Sequence, residues 1–356
     1  MNNKMKNEEL YMNRAIELAL KAKGKTSPNP LVGAVIVKEN NIIAEGYHKG
    51  AGKPHAEIEA IKKAGSDAAG SDIYITLEPC NFHGRTPPCI DTIKTIDFKR
   101  IIIGMIDPNP RVNGKSVEFL RKRGYEVITG VLEDKVRKLN PYYKFFIENR
   151  RPFVVMKIAQ SIDGYIAPAR DRKVYLTCEN SRREVHRIRG GIDGILIGSG
   201  TINIDNPILD ARLIDKDYKP AVIIADFSNE LDYNADIIND GSRRKYIIVS
   251  SQYRDNLEKR ENTEYIFVES KSDTWDKLKT MMPERNIISI LVEGGAGVFS
   301  SAIENRSYDE LTVFTAPLIL GSGVRAIETE SMQELKLIEH SLVDGDVMMR
   351  YRCLPD

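Results

Sequence analysis

The sequence predicts an α/β protein made of two domains, and three observations carry that expectation. Short apolar runs rich in Ile and Val alternate with helix-period segments along most of the chain. The 356 residues exceed what one ordinary core accommodates. The alternation also restarts after a charged stretch that is broken by Pro141 and ends in Glu148-Asn149-Arg150-Arg151-Pro152. Domains are therefore expected at 1–150 and 151–356.

The elements follow in order. Met12, Ala15, Ile16, Ala19 and Ala22 share one helical face, which predicts an amphipathic helix from about residue 8 to 23. Leu31 to Val37 and Ile42 to Tyr47 flank the polar break Lys38-Glu39-Asn40-Asn41 and predict a hairpin. His55 to Ala64 reads as a helix stopped by Gly65, and Ile73 to Leu77 as a buried strand. A helix follows Pro88. Then come a strand Arg100 to Met105, a helix Ser116 to Arg123 stopped by Gly124, and a strand Tyr125 to Ile128. Glu133 to Arg151 reads as a helix and a short crossing. Beyond it, strands are expected at Phe153 to Ala159, Gly194 to Ile197, Ala221 to Ala225, Tyr246 to Val249, Ile287 to Val292 and Glu310 to Ala316, with a helix over Ser181 to Arg189.

Composition excludes several function classes. Basic and acidic residues nearly cancel, 52 against 51, so no overall field favours nucleic acid. No apolar run approaches the roughly 20 residues that span a bilayer. The start, Met1 to Leu10, lacks the apolar core of a signal peptide, so a cytoplasmic location and no membrane partner are expected. Two of the four cysteines sit inside one motif, which suits a reducing compartment where thiolates bind metal. Cys178 and Cys353 read as ordinary free thiols.

That motif carries the chemistry. One imidazole, His55, and two thiolates, Cys80 and Cys89, can hold a zinc ion and leave its fourth tetrahedral position for water. Glu57, two residues after the histidine, can shuttle the proton of that water. These are the parts of a hydrolytic deaminase that replaces a ring amine with oxygen. The general signature places its cysteines two residues apart, whereas the eight residues Asn81 to Pro88 separate them here. Both sulfurs can ligate only if that insert loops out and returns. Its Arg85 and Thr86 suit a phosphate on a small substrate. His83 stays outside the shell, because a fourth protein ligand would close the open position.

The stretches PNPLVGAVIV, GYHKGAGKPHAE, PCNFHGRTPPC and DPNPRVNGK resemble the deaminase half of the bifunctional riboflavin-biosynthesis deaminase-reductases. The resemblance implies a cytidine-deaminase-like α/β/α sandwich, one zinc per chain on His55, Cys80 and Cys89, and Glu57 as proton shuttle. It places Asn29 and His48 against the pyrimidine and ribose, and Arg85, Thr86, Asp107 and Asn109 at the ribose-phosphate end. By residue type alone, Asn29, Asp107 and Asn109 suit turns beside proline. Ser116 stands where the family often has glycine.

In the second half, Ile195 to Thr201 and Leu291 to Phe299 each end a strand in a glycine-rich turn before helix-like sequence. Such turns let backbone N–H groups approach a phosphate, although glycine turns are common without any ligand. MKIAQSIDGYIA, the run from Arg183 to Arg212, and LVEGGAGVFSSAI resemble the reductase half of the same family. That implies a dihydrofolate-reductase-like α/β domain, NADPH, and hydride delivery to C1 of the opened ribosyl group. Lys157, Arg189, Thr201, Asp205, Leu209, Arg212 and Glu293 would line the substrate pocket, and Gly198, Gly200, Gly294, Gly295 and Gly297 would border the cofactor. The two arginines suit the substrate phosphate, and Asp205 or Glu293 could assist proton transfer. Tyr165, Cys178 and Asp210-Ala211 depart from the family pattern.

The reading is a bifunctional enzyme acting on small phosphoribosyl pyrimidines, with no nucleic-acid partner and a homo-oligomeric state expected. Three alternatives remain open at this point. They are an active deaminase beside a degenerate reductase, a deaminase of RNA or DNA bases, and a nucleic-acid adaptor with structural zinc.

Overall fold

Ile- and Val-rich runs form the strands, and alanine-rich stripes let helices lie close on them. The computed structural model describes residues 2–169, 174–214 and 218–354, with side chains from residue 7 onward in the first helix. The chain divides into two units, Met1–Arg150 and Arg151–Asp356. Among the described residues no helix is long and apolar enough to cross a membrane.

The first unit contains α1 (Asn2–Leu20), β1 (Gly33–Lys38), β2 (Asn41–Tyr47), α2 (Ala56–Ala64), β3 (Asp72–Leu77), α3 (Cys89–Ile93) and β4 (Arg100–Met105). It continues with α4 (Lys115–Lys122), β5 (Glu126–Thr129), α5 (Glu133–Leu139) and α6 (Pro141–Asn149). The sheet order is β2-β1-β3-β4-β5. β1 is antiparallel to both neighbours, and β3, β4 and β5 are mutually parallel. One face is an Ile and Val layer (Ile36, Ile73, Ile75, Ile101, Ile103) packed under Ala60 and Ile61 of α2, Ile90 and Ile93 of α3, and Leu120 of α4. α1 lies on β1 and β3 of the opposite face.

Glycines set the spacing of both helix layers. A Cβ on Gly33 would sit 1.9 Å from the carbonyl oxygen of Ala15 in α1. A Cβ on Gly46 would meet Ala56 O at 2.1 Å and Ala60 N at 2.6 Å, both backbone atoms of α2. Gly46→Ala is expected to cost about 1–3 kcal/mol, because α2 must lift from the sheet. A lower urea midpoint with unchanged slope checks this. The region from Glu133 onward corrects one expectation: two helices replace a helix and a crossing. Pro141, whose missing N–H costs nothing at a first helical position, starts the second.

The second unit begins with β6 (Phe153–Gln160), β7 (Tyr165–Ala167), α7 (Glu179–Arg189), β8 (Gly194–Gly198), α8 (Ser199–Asp205), β9 (Ala221–Ala225) and α9 (Asp236–Asn239). Next are β10 (Lys245–Ser250), β11 (Thr263–Val268), α10 (Asp273–Glu284), β12 (Ser289–Gly294), α11 (Ala296–Glu304) and β13 (Glu310–Thr315). β14 (Val324–Arg325), β15 (Leu335–Val343) and β16 (Asp346–Cys353) complete it. The large sheet runs β11-β10-β9-β8-β12-β6-β13-β16-β15. It is parallel from β11 to β13, and β16 and β15 extend it antiparallel. Trp275, Leu278 and Met282 of α10 and Phe299 and Ile303 of α11 pack on its Ile and Val face. Carboxyl ends of parallel strands are where open α/β sheets bind ligands, and both candidate sites lie there.

Candidate active sites

In the first unit three element ends converge. His55 is the extended N-cap residue of α2, Cys80 follows the end of β3, and Cys89 opens α3 after Pro88. His55 Nδ1 lies 3.0 Å from Cys89 Sγ and 3.6 Å from Cys80 Sγ, and one ligand atom from each residue falls within 4.8 Å of the others. The insert between the cysteines therefore does loop out and return. The Cys89 thiol hydrogen-bonds Cys80 and, with His55, holds its pKa down to about 4 against burial, so Cys80 ionises first. A borderline-soft set of one imidazole and two sulfurs fits zinc. His83 is exposed and lies outside the group.

Glu57, the second residue of α2, is buried at 2% exposure. Among the described residues its Oε2 has no hydrogen-bond partner, and burial pushes the Glu57 pKa up. An orphaned carboxylate oxygen in a dry site beside the ligands is placed to take up a proton.

His48 stands edge-on to His55, ring centroids 5.1 Å apart. Its Nδ1 is 3.1 Å from Pro54 O, an acceptor, so Nδ1 carries the proton. Its Nε2 then accepts from Asn29 Nδ2 at 3.0 Å. Burial lowers the His48 pKa and keeps the ring neutral in that tautomer. Asp107 follows β4, and its Oδ1 accepts from Asn109 N at 2.8 Å and from the Tyr143 hydroxyl at 3.0 Å. Burial raises the Asp107 pKa to about 6. Arg85 is exposed on the insert. The Thr86 hydroxyl stands 3.4 Å from His55 Nε2, where it can steady the ligand ring.

Sequence reasoning missed Glu78. Its carboxylate is buried and accepts from the backbone amides of Asp107 (3.3 Å), Gly114 (2.8 Å), Ser116 (3.0 Å) and Val117 (3.2 Å). It thus pins the Asp107 loop and satisfies the N-terminus of α4. Its position two residues before Cys80 was the available signal.

In the second unit a cavity of about 560 Å³ opens at the ends of β8, β12 and β6. Lys157, Thr201, Asp205, Glu293 and all five expected glycines line it. A side chain on Gly200 or Gly297 would meet nothing within 4 Å, so backbone is open to the cavity there. Gly295, at φ 85°, adopts a conformation that favours glycine. These features fit a nicotinamide dinucleotide, whose phosphates need close backbone approach.

The charges expected here are paired with one another. Arg189 forks onto the Glu293 carboxylate, Nη2 to Oε2 at 2.8 Å, and Arg212 pairs with Asp210 at 2.6 Å. Among the described residues neither arginine lines the cavity, and each is held by a carboxylate. Leu209 is buried and also lies off the lining. Burial alone would raise the Glu293 pKa, but Arg189 and Lys157, at 3.2 Å, outweigh it and hold it down to about 2. Glu293 is thereby held as an anion at neutral pH.

These folds and sites define a two-unit enzyme, with a deaminase of the cytidine and deoxycytidylate class in the first half and a reductase domain in the second. Residues 5–105 match the cytidine and deoxycytidylate deaminase zinc-binding region, and residues 152–349 match the RibD C-terminal domain. The riboflavin biosynthesis protein RibD of Aquifex aeolicus is 36% identical over 93% of this chain and 94% of its own length. That of Bacillus amyloliquefaciens is 36% identical over 94% and 91%. A solved diaminohydroxyphosphoribosylaminopyrimidine deaminase/5-amino-6-(5-phosphoribosylamino)uracil reductase from Thermotoga maritima has a TM-score of 0.86 at 35% identity, covering 99% of this chain and 100% of that one. The chain belongs to the RibD family, the bifunctional deaminase-reductases of riboflavin biosynthesis.

Proposed function

We propose that the first unit deaminates 2,5-diamino-6-(5-phosphoribosylamino)pyrimidin-4-one and that the second reduces the ribosyl group of the product to ribityl with NADPH. The observation that carries the reading is the convergence of His55, Cys80 and Cys89 beside the partnerless carboxylate oxygen of Glu57. The chemistry that zinc brings when bound is Lewis acidity, which makes water a nucleophile near neutral pH. Glu57 takes up a proton and returns it to the leaving ammonia. Asn29 and His48 orient the pyrimidine, Asp107 and Asn109 meet the ribose, and Arg85 meets the phosphate.

In the second unit Gly198, Gly200, Gly294, Gly295 and Gly297 border the cofactor, and Thr201 and Asp205 share its cavity. The chemistry that NADPH brings when bound is a hydride for C1 of the opened sugar. Lys157 and Glu293 orient the substrate at the cavity wall. The enzyme works in the cytoplasm as a homo-oligomer.

The test couples metal analysis to a two-step assay on the purified chain. The expected result is about one zinc per chain, as the three-ligand site requires, ammonia release from the diaminopyrimidine, and NADPH oxidation only when the deaminated product is present. Absence of product-dependent oxidation would leave an active deaminase beside an inactive reductase. Oxidation with NADH as readily as with NADPH would remove the cofactor assignment.

A further inference from the structure

We infer that Asn140 and Tyr143 are positioning residues of the deaminase, gripping from behind the two loops that bear its substrate-facing side chains. Both lie beyond residues 5–105, the span of the deaminase zinc-binding region. They occupy the start of α6, one helical turn apart, so their side chains share a face.

Asn140 is the N-cap residue of α6, yet its side chain makes no bond to its own helix. The buried amide instead spans Leu31 as a strand partner would. Leu31 N donates to Asn140 Oδ1 at 2.7 Å, and Asn140 Nδ2 donates to Leu31 O at 2.9 Å. Leu31 is two residues from Asn29, with Pro30 between them stiffening the link. Fixing both backbone groups of Leu31 therefore fixes where Asn29 meets His48.

Tyr143 acts on the other loop. Its buried hydroxyl donates to Asp107 Oδ1 at 3.0 Å and lies 3.4 Å from Oδ2. Without it, the carboxylate keeps the Asn109 amide on the same oxygen but loses the contact that sets its rotation. A substrate ribose would then meet an Asp107 that must be ordered during binding, which weakens affinity without touching the reacting ring carbon.

The inference rests on the reading of Asn29, Asp107 and Asn109 as substrate contacts. Its test is steady-state deamination by the full-length zinc enzyme. Tyr143→Phe, which removes one oxygen and keeps the ring, is expected to raise KM roughly 5–10-fold, the worth of one buried hydrogen bond. Turnover and zinc content should stay at wild-type levels, the pattern of lost uniform binding, while Tm falls by only a few degrees. Asp107→Ala should raise KM at least as far, and Tyr143→Phe should add nothing in that background. Asn140→Ala should behave in the same way towards Asn29→Ala.

An unchanged KM in Asp107→Ala overturns the substrate-contact reading, and the inference with it. A raised KM in Asp107→Ala with no change in Tyr143→Phe overturns the positioning role alone. Additive losses in the double variant also overturn it, because Tyr143 would then act independently of Asp107.

Discussion

Glu57→Gln is expected to leave about one zinc per chain, the stoichiometry of a three-ligand site, yet slow deamination by roughly 10²–10⁴-fold, the usual worth of a positioned proton carrier. Reduction of the deaminated pyrimidine by the second unit should continue at the wild-type rate. The two amino acids are nearly isosteric, so α2 and the His55 N-cap stay where they are. What changes is one capability: the amide cannot accept a proton and return it. The buried setting sharpens the effect, since Oε2 of Glu57 has no protein partner and bulk water does not reach it. Zinc analysis, ammonia release and NADPH oxidation on one preparation check all three parts. Deamination near the wild-type rate would remove Glu57 as the proton carrier. Loss of zinc would show that the carboxylate is needed for the metal site itself.

The parts of the site most legible in the sequence are those whose chemistry demands particular side chains. His55, Cys80 and Cys89 are few, reactive and bound to a known geometry, and the structure gathers them even with an insert between the sulfurs. Strands were equally readable where burial on both faces makes a continuous apolar run, as in β3, β4, β9 and β12. What stayed hidden depends on partners far along the chain. Glu78 looks like a further acidic group beside the metal motif, and only the fold brings the amides of Asp107, Gly114, Ser116 and Val117 onto its oxygens. Arg189 and Glu293 lie 104 residues apart, and nothing local announces that this guanidinium forks onto that carboxylate.

The terminal hairpin was missed for a different reason. β15 is exposed at most positions, so the apolar alternation that marks a half-buried strand is absent. Its turn was the usable signal. Asp344 and Gly345 both have positive φ, 47° and 93°, and Asp-Gly is a preferred pair for a two-residue hairpin turn. α10 was obscured by Pro283, which the helix tolerates near its last residue, Glu284.

Glu293→Gln is expected to destabilise the second unit by about 3–5 kcal/mol at pH 7, the cost of stranding buried charges. The Glu293 side chain is 3% exposed and faces both Lys157 and Arg189, themselves 12% and 13% exposed. Glutamine keeps the shape but removes the charge that both cations share in a poorly hydrated wall, and Arg189 is left with the field of Asp210. The pH dependence follows from the direction of the shift. The carboxyl pKa is depressed from 4.5 to about 2 in the folded chain, because Arg189 and Lys157 outweigh burial. Its stabilisation is therefore fully present above pH 4.5 and is lost as pH falls through about 2. The gap between wild type and variant in urea denaturation should be constant from neutral pH down to about 5 and narrow steadily below that. A gap that is small at pH 7, or that stays constant into the acid range, would mean that the two cations find other anions and that Glu293 is a cavity residue rather than the keystone of its wall. The same variant separates stability from binding. If adding NADPH restores the lost midpoint by mass action, the cavity still forms and the defect is electrostatic; if it does not, the cavity wall depends on the triad for its shape.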